Sequence, residues 1–473
     1  MKRVINIVLG VISLTIFIYY PLHLAGKGDQ AQIVVVFIIS AFLLFLLRPT
    51  LLGIGFVGGF YGIFAADQYI LANILFVLIP SILLTVVFKK NVQKYAMVLG
   101  IMTITAVLMN FGQITGDRAA TAAVKKLSPQ LQSVSLKEKP NIYFILADGY
   151  SSLAYMKDHG IDVSNLTEYL SDNGFRLYED TYSNYQPTTN AMPAILDMDH
   201  HYYSLIGHRV HFSEVSKAAR MVIGGENNVS YILRRNGYSI QYIHNGTYLL
   251  LQGCSADVCF PQIDGLAGAR IILSYMFKTD LLSEQDKAWE SQTLEQMREQ
   301  VATLMDDDRN SPRFQYIHAL APSHAPNHLE GKCDESSEVQ KYARRVEWAG
   351  EYLRKQISEI IERDPDALIM VAGDHGPFIS KKCSRTAYID KISDYRDRAG
   401  ALMAIRWSKS YDGKYDDRIV SGVNLFRYVL ASLAEDETPL LQTAVPDDVF
   451  IMGHRIFKII DNGKPLFPPE EFP

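Results

Sequence analysis

Residues 368–377 read LIMVAGDHGP, an aliphatic run that ends at Gly373 and is followed at once by Asp374, His375 and a second glycine. The run has the length and composition of a buried strand. Polar residues commonly follow such a strand, and an Asp–His pair taken alone is more often part of a turn than a set of metal ligands. The stretch therefore predicts a strand, and the role of its polar end depends on the rest of the chain.

The C-terminal two thirds of the chain contains more segments of this kind. Strands are predicted for NIYFILA, SIQYIH, FQYIHAL and ALIMVA, at 141–147, 239–244, 314–320 and 367–372. Helix-length amphipathic segments lie between them, at about 284–305 and about 336–363. Continuous apolar strands that alternate with helices predict an α/β domain with a largely parallel sheet sandwiched by helices.

The N-terminal part is different, because it is a succession of apolar runs with very few charges. Five membrane-spanning helices are predicted, at 4–24, 31–48, 50–66, 69–88 and 94–113. Each is near the ~20 residues that cross a bilayer as a helix. Nearly all the basic residues between these runs fall on one side, which the positive-inside rule places in the cytoplasm. The prediction is a transmembrane domain (1–113), a juxtamembrane connector (114–139) and an extracytoplasmic domain (140–473).

The cysteines agree with an oxidising compartment for the C-terminal part. All four lie beyond residue 250, and the preferred pairing is Cys254–Cys259 with Cys333–Cys383. Zinc binding by cysteines is the weaker alternative, since the chain has no C-x-x-C pair. The net charge of −5 gives no reason to expect a nucleic acid as partner.

A second acidic residue ends another predicted strand. Asp148 follows the strand 141–147, as Asp374 and His375 follow the strand 367–372. Ligands of parallel α/β sheets bind outside the carboxyl ends of the strands, so these three residues are expected to meet there. Two carboxylates and an imidazole suit Zn²⁺ or Mn²⁺, with Mg²⁺ less expected.

A candidate nucleophile lies in SNYQPTTNAMPAILDM (183–198). Thr188 and Thr189 precede an apolar segment that is expected to be helical, although Pro193 removes one early hydrogen bond. A helix N-terminus favours a bound phosphate, and metal coordination lowers the pKa of a hydroxyl. The alternative is that Thr188 only caps the helix.

The segments ILADGY, NYQPTTNAMPAILDM and VAGDHGP, in this order, resemble the alkaline phosphatase/sulfatase superfamily. The likeness is to its membrane-bound branch, which contains lipid A phosphoethanolamine transferases and lipoteichoic acid synthases and has five N-terminal spans. The resemblance covers nearly the whole chain. It implies that Asp148, Thr188, Asp374 and His375 bind the metal, with Thr188 as nucleophile and Thr189 as the neighbouring alternative.

In the same family a histidine-rich strand end is expected, and here it corresponds to YIHALAPSHAPNHL (316–329). His324 and His328 are expected to bind the phosphoryl group, to hold a second metal or to protonate the leaving oxygen. His318 is interpreted as a packed strand residue. His200 and His201, in DMDHHYYS, are expected in a surface loop.

The expected function is transfer of a phospho-head group, phosphoethanolamine or phosphoglycerol, from a membrane phospholipid to a cell-surface glycan or glycolipid. A bacterial inner membrane location, with the catalytic domain outside the cytoplasm, follows from the same resemblance. One alternative is a phosphodiesterase or sulfatase-like hydrolase, although the C/S-x-P-x-R motif of formylglycine sulfatases is missing near Thr188. Another is a non-catalytic component of glycan assembly.

Overall fold

The computed structural model describes ten stretches of the chain, all in one compact unit: 129–186, 188–200, 219–246, 248–250, 254–260, 294–306, 311–323, 335–379, 393–452 and 456–466. In these stretches no helix is both long and apolar enough to cross a membrane. The five predicted spans lie outside the described residues. So do five predicted side chains of interest: His201, His324, His328, Cys333 and Cys383.

A seven-stranded sheet forms the centre of the described unit. Its strands are β1 (Ile142–Ala147), β2 (Arg176–Tyr178), β3 (Ser239–His244), β4 (Val258–Phe260), β5 (Arg313–Ala319), β6 (Leu368–Gly373) and β7 (Met403–Arg406). They are arranged in the order β2-β7-β6-β1-β5-β3-β4. Strands β6, β1, β5, β3 and β4 are parallel, and only the β6–β7 and β7–β2 pairs are antiparallel. The predicted largely parallel sheet is confirmed.

Helices cover this sheet. They are α1 (Pro129–Gln132), α2 (Leu153–Asp158), α3 (Ser164–Asp172), α4 (Thr188–Asp197), α5 (Asn228–Arg235), α6 (Glu335–Arg363), α7 (Ser393–Ala399), α8 (Leu425–Leu433) and α9 (Thr438–Leu441). Residues 219–223 and 294–305 are also helical. The predicted helix at 336–363 is confirmed as α6, and the described part of the one at 284–305 is helical as well.

The two faces of the sheet form two separate hydrophobic cores because successive strand side chains point in opposite directions. On β1, Phe144 faces a core that α4, α5 and α8 complete, and its ring packs edge-on against Phe426 at 5.1 Å between centroids. Tyr143 and Ile145 face the other core, which α2, α3, α6 and the helix at 294–305 complete. Helices on both faces explain why the central parallel strands are buried along nearly their whole length.

A small antiparallel sheet near the C-terminus was not predicted. It consists of β8 (Val449–Met452), β9 (Ile456–Asp461) and β10 (Lys464–Pro465). The turn between β9 and β10 is Asn462-Gly463, with φ of 46° and 79°. Asn-Gly with two positive φ values is the preferred two-residue hairpin turn, so this dipeptide was the available sequence signal.

One predicted disulfide is present at the edge of the large sheet. Cys254 and Cys259 are bonded to each other, beside and within β4. The other predicted pair, Cys333 with Cys383, lies outside the described residues.

Strand register brings the carboxyl ends of the central strands to one edge. Ala147 at the end of β1 is aligned with Gly373 of β6 on one side and with Ala319 of β5 on the other. The residues that follow β1 and β6 are Asp148 and Asp374, so two carboxylates far apart in sequence leave the sheet side by side. His244 of β3 is aligned with His318 of β5 at the same edge.

Candidate metal centre

Three acidic and imidazole side chains meet at the carboxyl edge of the sheet. Asp148, Asp374 and His375 each offer one ligand atom, and these atoms lie within 4.8 Å of one another. All three side chains are buried; Asp148 is 4% exposed and the other two 0%. We refer to these three residues as the Asp–His cluster. Its composition, two carboxylates and one imidazole, suits a divalent cation of the Zn²⁺ or Mn²⁺ type.

The orientation of the His375 ring points its Nε2 towards the two carboxylates and Thr188. Its Nδ1 lies 2.8 Å from the carbonyl oxygen of Gly376, and a carbonyl only accepts, so Nδ1 carries the proton. Nε2 then keeps its lone pair and lies 3.5 Å from Asp374 Oδ2 and 3.8 Å from Asp148 Oδ1. The ring of Phe378 stacks on the imidazole at 4.9 Å between centroids. A backbone carbonyl that fixes the tautomer in this way is typical of metal-binding histidines.

Asp374 is the carboxylate whose position most favours a bound cation. Its Oδ1 accepts a hydrogen bond of 3.0 Å from the backbone N–H of Gly149, whereas its Oδ2 has no hydrogen-bond partner among the described residues. Burial raises the pKa of Asp374, and the nearby charge of Asp148 raises it further. A buried carboxylate with a free oxygen and a like-charged neighbour is destabilising unless a cation compensates it, so these residues fit a divalent metal.

The first residue of α4 faces the Asp–His cluster. Thr188 Oγ1 donates a hydrogen bond of 3.2 Å to Asp148 Oδ2 and lies 3.3 Å from His375 Nε2. Thr189 is buried and makes no hydrogen bond to the Asp–His cluster in the described part of the chain. The helix continues through Pro193 to Asp197. The geometry therefore favours Thr188 over Thr189 as the hydroxyl of this site.

Glycines adjoin the residues of the Asp–His cluster: Gly149 follows Asp148, and Gly373 and Gly376 flank Asp374 and His375. They are required for two different reasons. Gly149 has φ of +70°, a left-handed conformation that side chains rarely adopt. Gly373 and Gly376 do not have a positive φ. They are needed because backbone packs against them: a Cβ would lie 2.1 Å from the Tyr150 carbonyl oxygen and 2.2 Å from that of Asp397.

Two further histidines lie near this edge, and sequence reasoning did not assign either to the site. His318 is in β5 as predicted and is buried, but its Nε2 lies 3.6 Å from Asp148 Oδ2. Its Nδ1 is 2.8 Å from the hydroxyl of Tyr316. His244, at the end of β3, has no hydrogen-bond partner at either nitrogen among the described residues, and burial holds its pKa well below the ordinary value. The rule that ligands bind at carboxyl strand ends would have selected His244.

The expectation of a surface loop was wrong for His200, which is 4% exposed. Its Nδ1 lies 2.9 Å from the Tyr185 hydroxyl and its Nε2 2.8 Å from the carbonyl oxygen of Pro446. Aromatic packing against Tyr185 and Phe450 completes its surroundings. The tertiary fold supplies His200 with partners for both ring nitrogens, and these come from positions that the local sequence does not indicate.

The fold and the Asp–His cluster together define an α/β protein with a metal-type site at the carboxyl edge of a parallel sheet. The sulfatase family model matches residues 140–433, more than half of the chain. The chain therefore belongs to the sulfatase family, and the superfamily resemblance of its motifs is confirmed. A comparison with curated protein sequences finds no match.

Solved structures that match this chain include a phosphoethanolamine transferase, a periplasmic domain and a protein of the alkaline phosphatase superfamily. Lipooligosaccharide phosphoethanolamine transferase A from Neisseria meningitidis is 12% identical, with 90% of this chain and 95% of that chain covered and a TM-score of 0.42. The periplasmic domain of EcEptC from Escherichia coli, in complex with Zn, is 8% identical over 68% of this chain and 92% of that one, at a TM-score of 0.42. The Vibrio parahaemolyticus protein is 11% identical over 74% and 84%, at 0.42.

Proposed function

We propose that the protein transfers a phospho-head group, phosphoethanolamine or phosphoglycerol, from a membrane phospholipid to a cell-surface glycan or glycolipid. The observation that carries this proposal is the position of Thr188. Thr188 is the first residue of a ten-residue helix, and its hydroxyl is hydrogen-bonded to Asp148 of the Asp–His cluster. The proximity of a hydroxyl, a helix N-terminus that favours phosphate and the Asp–His cluster supports the proposal.

The metal ligands are proposed to be Asp148, Thr188, Asp374 and His375, and the metal Zn²⁺ or Mn²⁺. When bound, the cation lowers the pKa of the threonine hydroxyl and neutralises charge on the phosphoryl oxygens. The protein's own groups orient the ligands. Gly149 N–H orients Asp374, and the Gly376 carbonyl holds the His375 tautomer with Nε2 towards Thr188.

The transfer is proposed to proceed in two balanced displacements. Thr188 Oγ1 forms a bond to the phosphorus of the donor while the bond to the glycerol oxygen breaks, and diacylglycerol leaves. The hydroxyl proton passes to Asp148 Oδ2, to which it is already hydrogen-bonded. An acceptor hydroxyl then attacks the phosphorus and gives its proton to His324, which lost one to the leaving glycerol oxygen. The bond to Oγ1 breaks, and the proton held by Asp148 returns to Thr188 Oγ1. Phosphoryl transfer of this kind depends on positioning and charge stabilisation.

Substrate groups are proposed to be held by histidines. His324 is proposed to bind the phosphoryl group and to protonate the leaving glycerol oxygen, with His328 as a second binding residue. His318 and His244 lie at the ends of β5 and β3, and both offer ring nitrogens without hydrogen-bond partners in the described stretches. A neutral imidazole can donate one hydrogen bond to a phosphoryl oxygen.

The proposal also assigns a location. The predicted spans of 1–113 would place the chain in a bacterial inner membrane, with residues 140–473 on the extracytoplasmic side. A lipid donor and a lipid product both favour a site close to the bilayer, and five spans suit that need better than one simple anchor. The disulfide between Cys254 and Cys259 supports an oxidising compartment for the folded unit.

Intact mass spectrometry tests the chemistry directly. The full chain is incubated with Zn²⁺ or Mn²⁺ and one defined phospholipid at a time, and the mass of the adduct identifies the head group. Wild type and Thr189→Ala should carry the adduct, whereas Thr188→Ala should not. Thr189→Ala is the matched control because it removes the neighbouring hydroxyl, which makes no hydrogen bond to the Asp–His cluster in the described residues.

The outcomes separate the alternatives. An adduct that persists in Thr188→Ala would rule out this nucleophile. Head-group release into water without any glycan acceptor would favour a phosphodiesterase. Failure to form an adduct with any phospholipid in the presence of either metal would favour a non-catalytic role.

A further inference from the structure

One buried tyrosine is hydrogen-bonded to both ends of the turn that follows β1. The hydroxyl of Tyr342, on α6, donates a hydrogen bond of 2.8 Å to the carbonyl oxygen of Gly149. The same hydroxyl accepts one of 3.1 Å from the backbone N–H of Ser151. Tyr342 is 0% exposed. Burial raises its pKa well above the ordinary value, so the phenol stays protonated and can donate at neutral pH.

This turn connects the two carboxylates of the Asp–His cluster. Asp148 is its first residue, and the N–H of Gly149 donates to Asp374 Oδ1. The carbonyl of the same glycine is bonded to Tyr342. Gly149 is therefore held from both sides, by a ligand on one side and by the tyrosine on the other. A shift of Gly149 would therefore act on the position of Asp148, its chain neighbour, and of Asp374, its hydrogen-bond partner.

We propose that Tyr342 is a positioning residue for the metal site: its hydroxyl fixes the Asp148–Ser151 turn so that the two carboxylates keep the spacing that a divalent cation requires. The inference rests on the proposed function, because it assumes that the Asp–His cluster binds a metal. Hydrogen bonds that orient metal ligands from outside the coordination sphere commonly change metal affinity roughly 10–100-fold when removed.

The Tyr342 hydroxyl contributes hydrogen bonds that a ring of the same size cannot replace. Gly149 and Ser151 are both buried, so water does not replace the phenol oxygen as their partner. A phenylalanine would fill the same space against the core around Ile145 and Val371 but would leave one carbonyl and one N–H unpaired. Unpaired buried backbone groups favour rearrangement of the turn. The turn is the part that would relax, since β1 is bonded along its length to β5 and β6.

Tyr352 offers a matched control on the same helix. It is buried, ten residues along α6, and its hydroxyl has no hydrogen-bond partner among the described residues. Tyr352→Phe therefore removes a buried hydroxyl from α6 without a change at the Asp148–Ser151 turn. The two phenylalanine variants differ in one relevant respect, the contact with Gly149 and Ser151.

The experiment is isothermal titration of Zn²⁺, and separately Mn²⁺, into the metal-free full chain in detergent. Tyr342→Phe should bind the metal roughly 10-fold or more weakly than wild type. Tyr352→Phe should bind it as wild type does. Circular dichroism and thermal unfolding of the metal-free proteins establish that each variant is folded at the titration temperature.

The results distinguish the two levels of inference. If wild type itself binds neither metal, the proposed function fails. If wild type binds and Tyr342→Phe matches Tyr352→Phe, only the positioning role is refuted. Hydrogen exchange of metal-free wild type provides a test that needs no variant. The Ser151 amide should be protected by its bond to Tyr342, and exchange at the rate of a free amide would overturn the proposal.

Discussion

Replacement of Gly373 by alanine should push apart two turns of the site. One follows β1 and carries Asp148, and the other follows β6 and carries Asp374 and His375. A Cβ at this position would lie 2.1 Å from the carbonyl oxygen of Tyr150 and 3.1 Å from the backbone nitrogen of Leu402. Both neighbours are backbone atoms, so no side-chain rotation relieves the overlap. Gly373 N–H donates to the Leu402 carbonyl at 2.8 Å, and Leu402 N–H donates to the Tyr150 carbonyl at 2.9 Å. These three residues therefore move together or lose hydrogen bonds.

The size of the effect follows from the contact distance. To bring the Cβ to 3.0 Å from the Tyr150 oxygen, the turn after β1 must move away from β6 by roughly 0.9 Å. That displacement exceeds the ~0.5 Å within which functional groups must usually be held. Overpacking of a buried site also costs about 1–3 kcal/mol of unfolding free energy. We expect Gly373→Ala to lower the stability of the metal-free protein and, more strongly, its metal affinity.

The assay combines thermal unfolding with titration of Zn²⁺ into the full chain. Gly350→Ala is the control, because the added Cβ meets only Leu166 Cβ at 3.7 Å, an ordinary contact. Gly350 lies inside α6, where alanine is favoured over glycine by about 0.5–1 kcal/mol, so this variant should be as stable as wild type or more so. Wild-type metal affinity together with an unchanged melting temperature in Gly373→Ala would refute the close-approach argument.

Two further predictions concern charge. Metal-free Asp374→Asn should be more stable than metal-free wild type at neutral pH, because burial and Asp148 disfavour the Asp374 charge; it should also lose the stabilisation that Zn²⁺ gives to wild type. The stability difference, measured by urea unfolding, should shrink as the pH falls towards 3.8, since the folded chain protonates at Asp374 before the unfolded chain does. Burial lowers the pKa of His200 below 6.5, so its contribution is present above pH 6.5 and is lost as the pH falls towards its folded pKa. His200→Gln should therefore show a flatter decline of unfolding free energy below pH 6.5 than wild type, and equal slopes would contradict this account.

The sheet was predictable because its strands carry a strong local signal. β1 and β6 are continuous apolar runs of six residues, and β3 and β5 are mixed runs of six and seven residues that are almost entirely buried, as expected for strands covered on both faces. β2, β4 and β7 have three or four residues, too few for a hydrophobic pattern to be distinguished from a loop. Their pairing depends on neighbours distant in the chain, such as Leu177 with Ala404.

The residues of the site that directly follow strands were predictable from the sequence. Asp148, Asp374 and His375 each follow a recognisable strand, and the parallel arrangement alone brings such residues to one edge. The partners that orient them come from long-range contacts. Nothing near Tyr342 in the sequence indicates that its hydroxyl reaches Gly149, 193 positions away. Orientation of a ligand is a tertiary property, whereas its placement at a sheet edge is a property of the local pattern.

The electrostatics of the Asp–His cluster link metal binding to folding. Without a cation, the folded chain buries two carboxylates side by side, and the pKa of Asp374 is raised because its charged form is disfavoured there. The unfolded chain solvates both groups, so the Asp–His cluster opposes folding of the metal-free protein. A cation that binds only the folded chain reverses this, by about 2.7 kcal/mol at a free concentration 100 times its Kd. The close backbone approach at Gly373 and the bonds of Tyr342 hold the carboxylates together against their repulsion, which is why single changes at those two positions should affect metal binding more than they affect the fold.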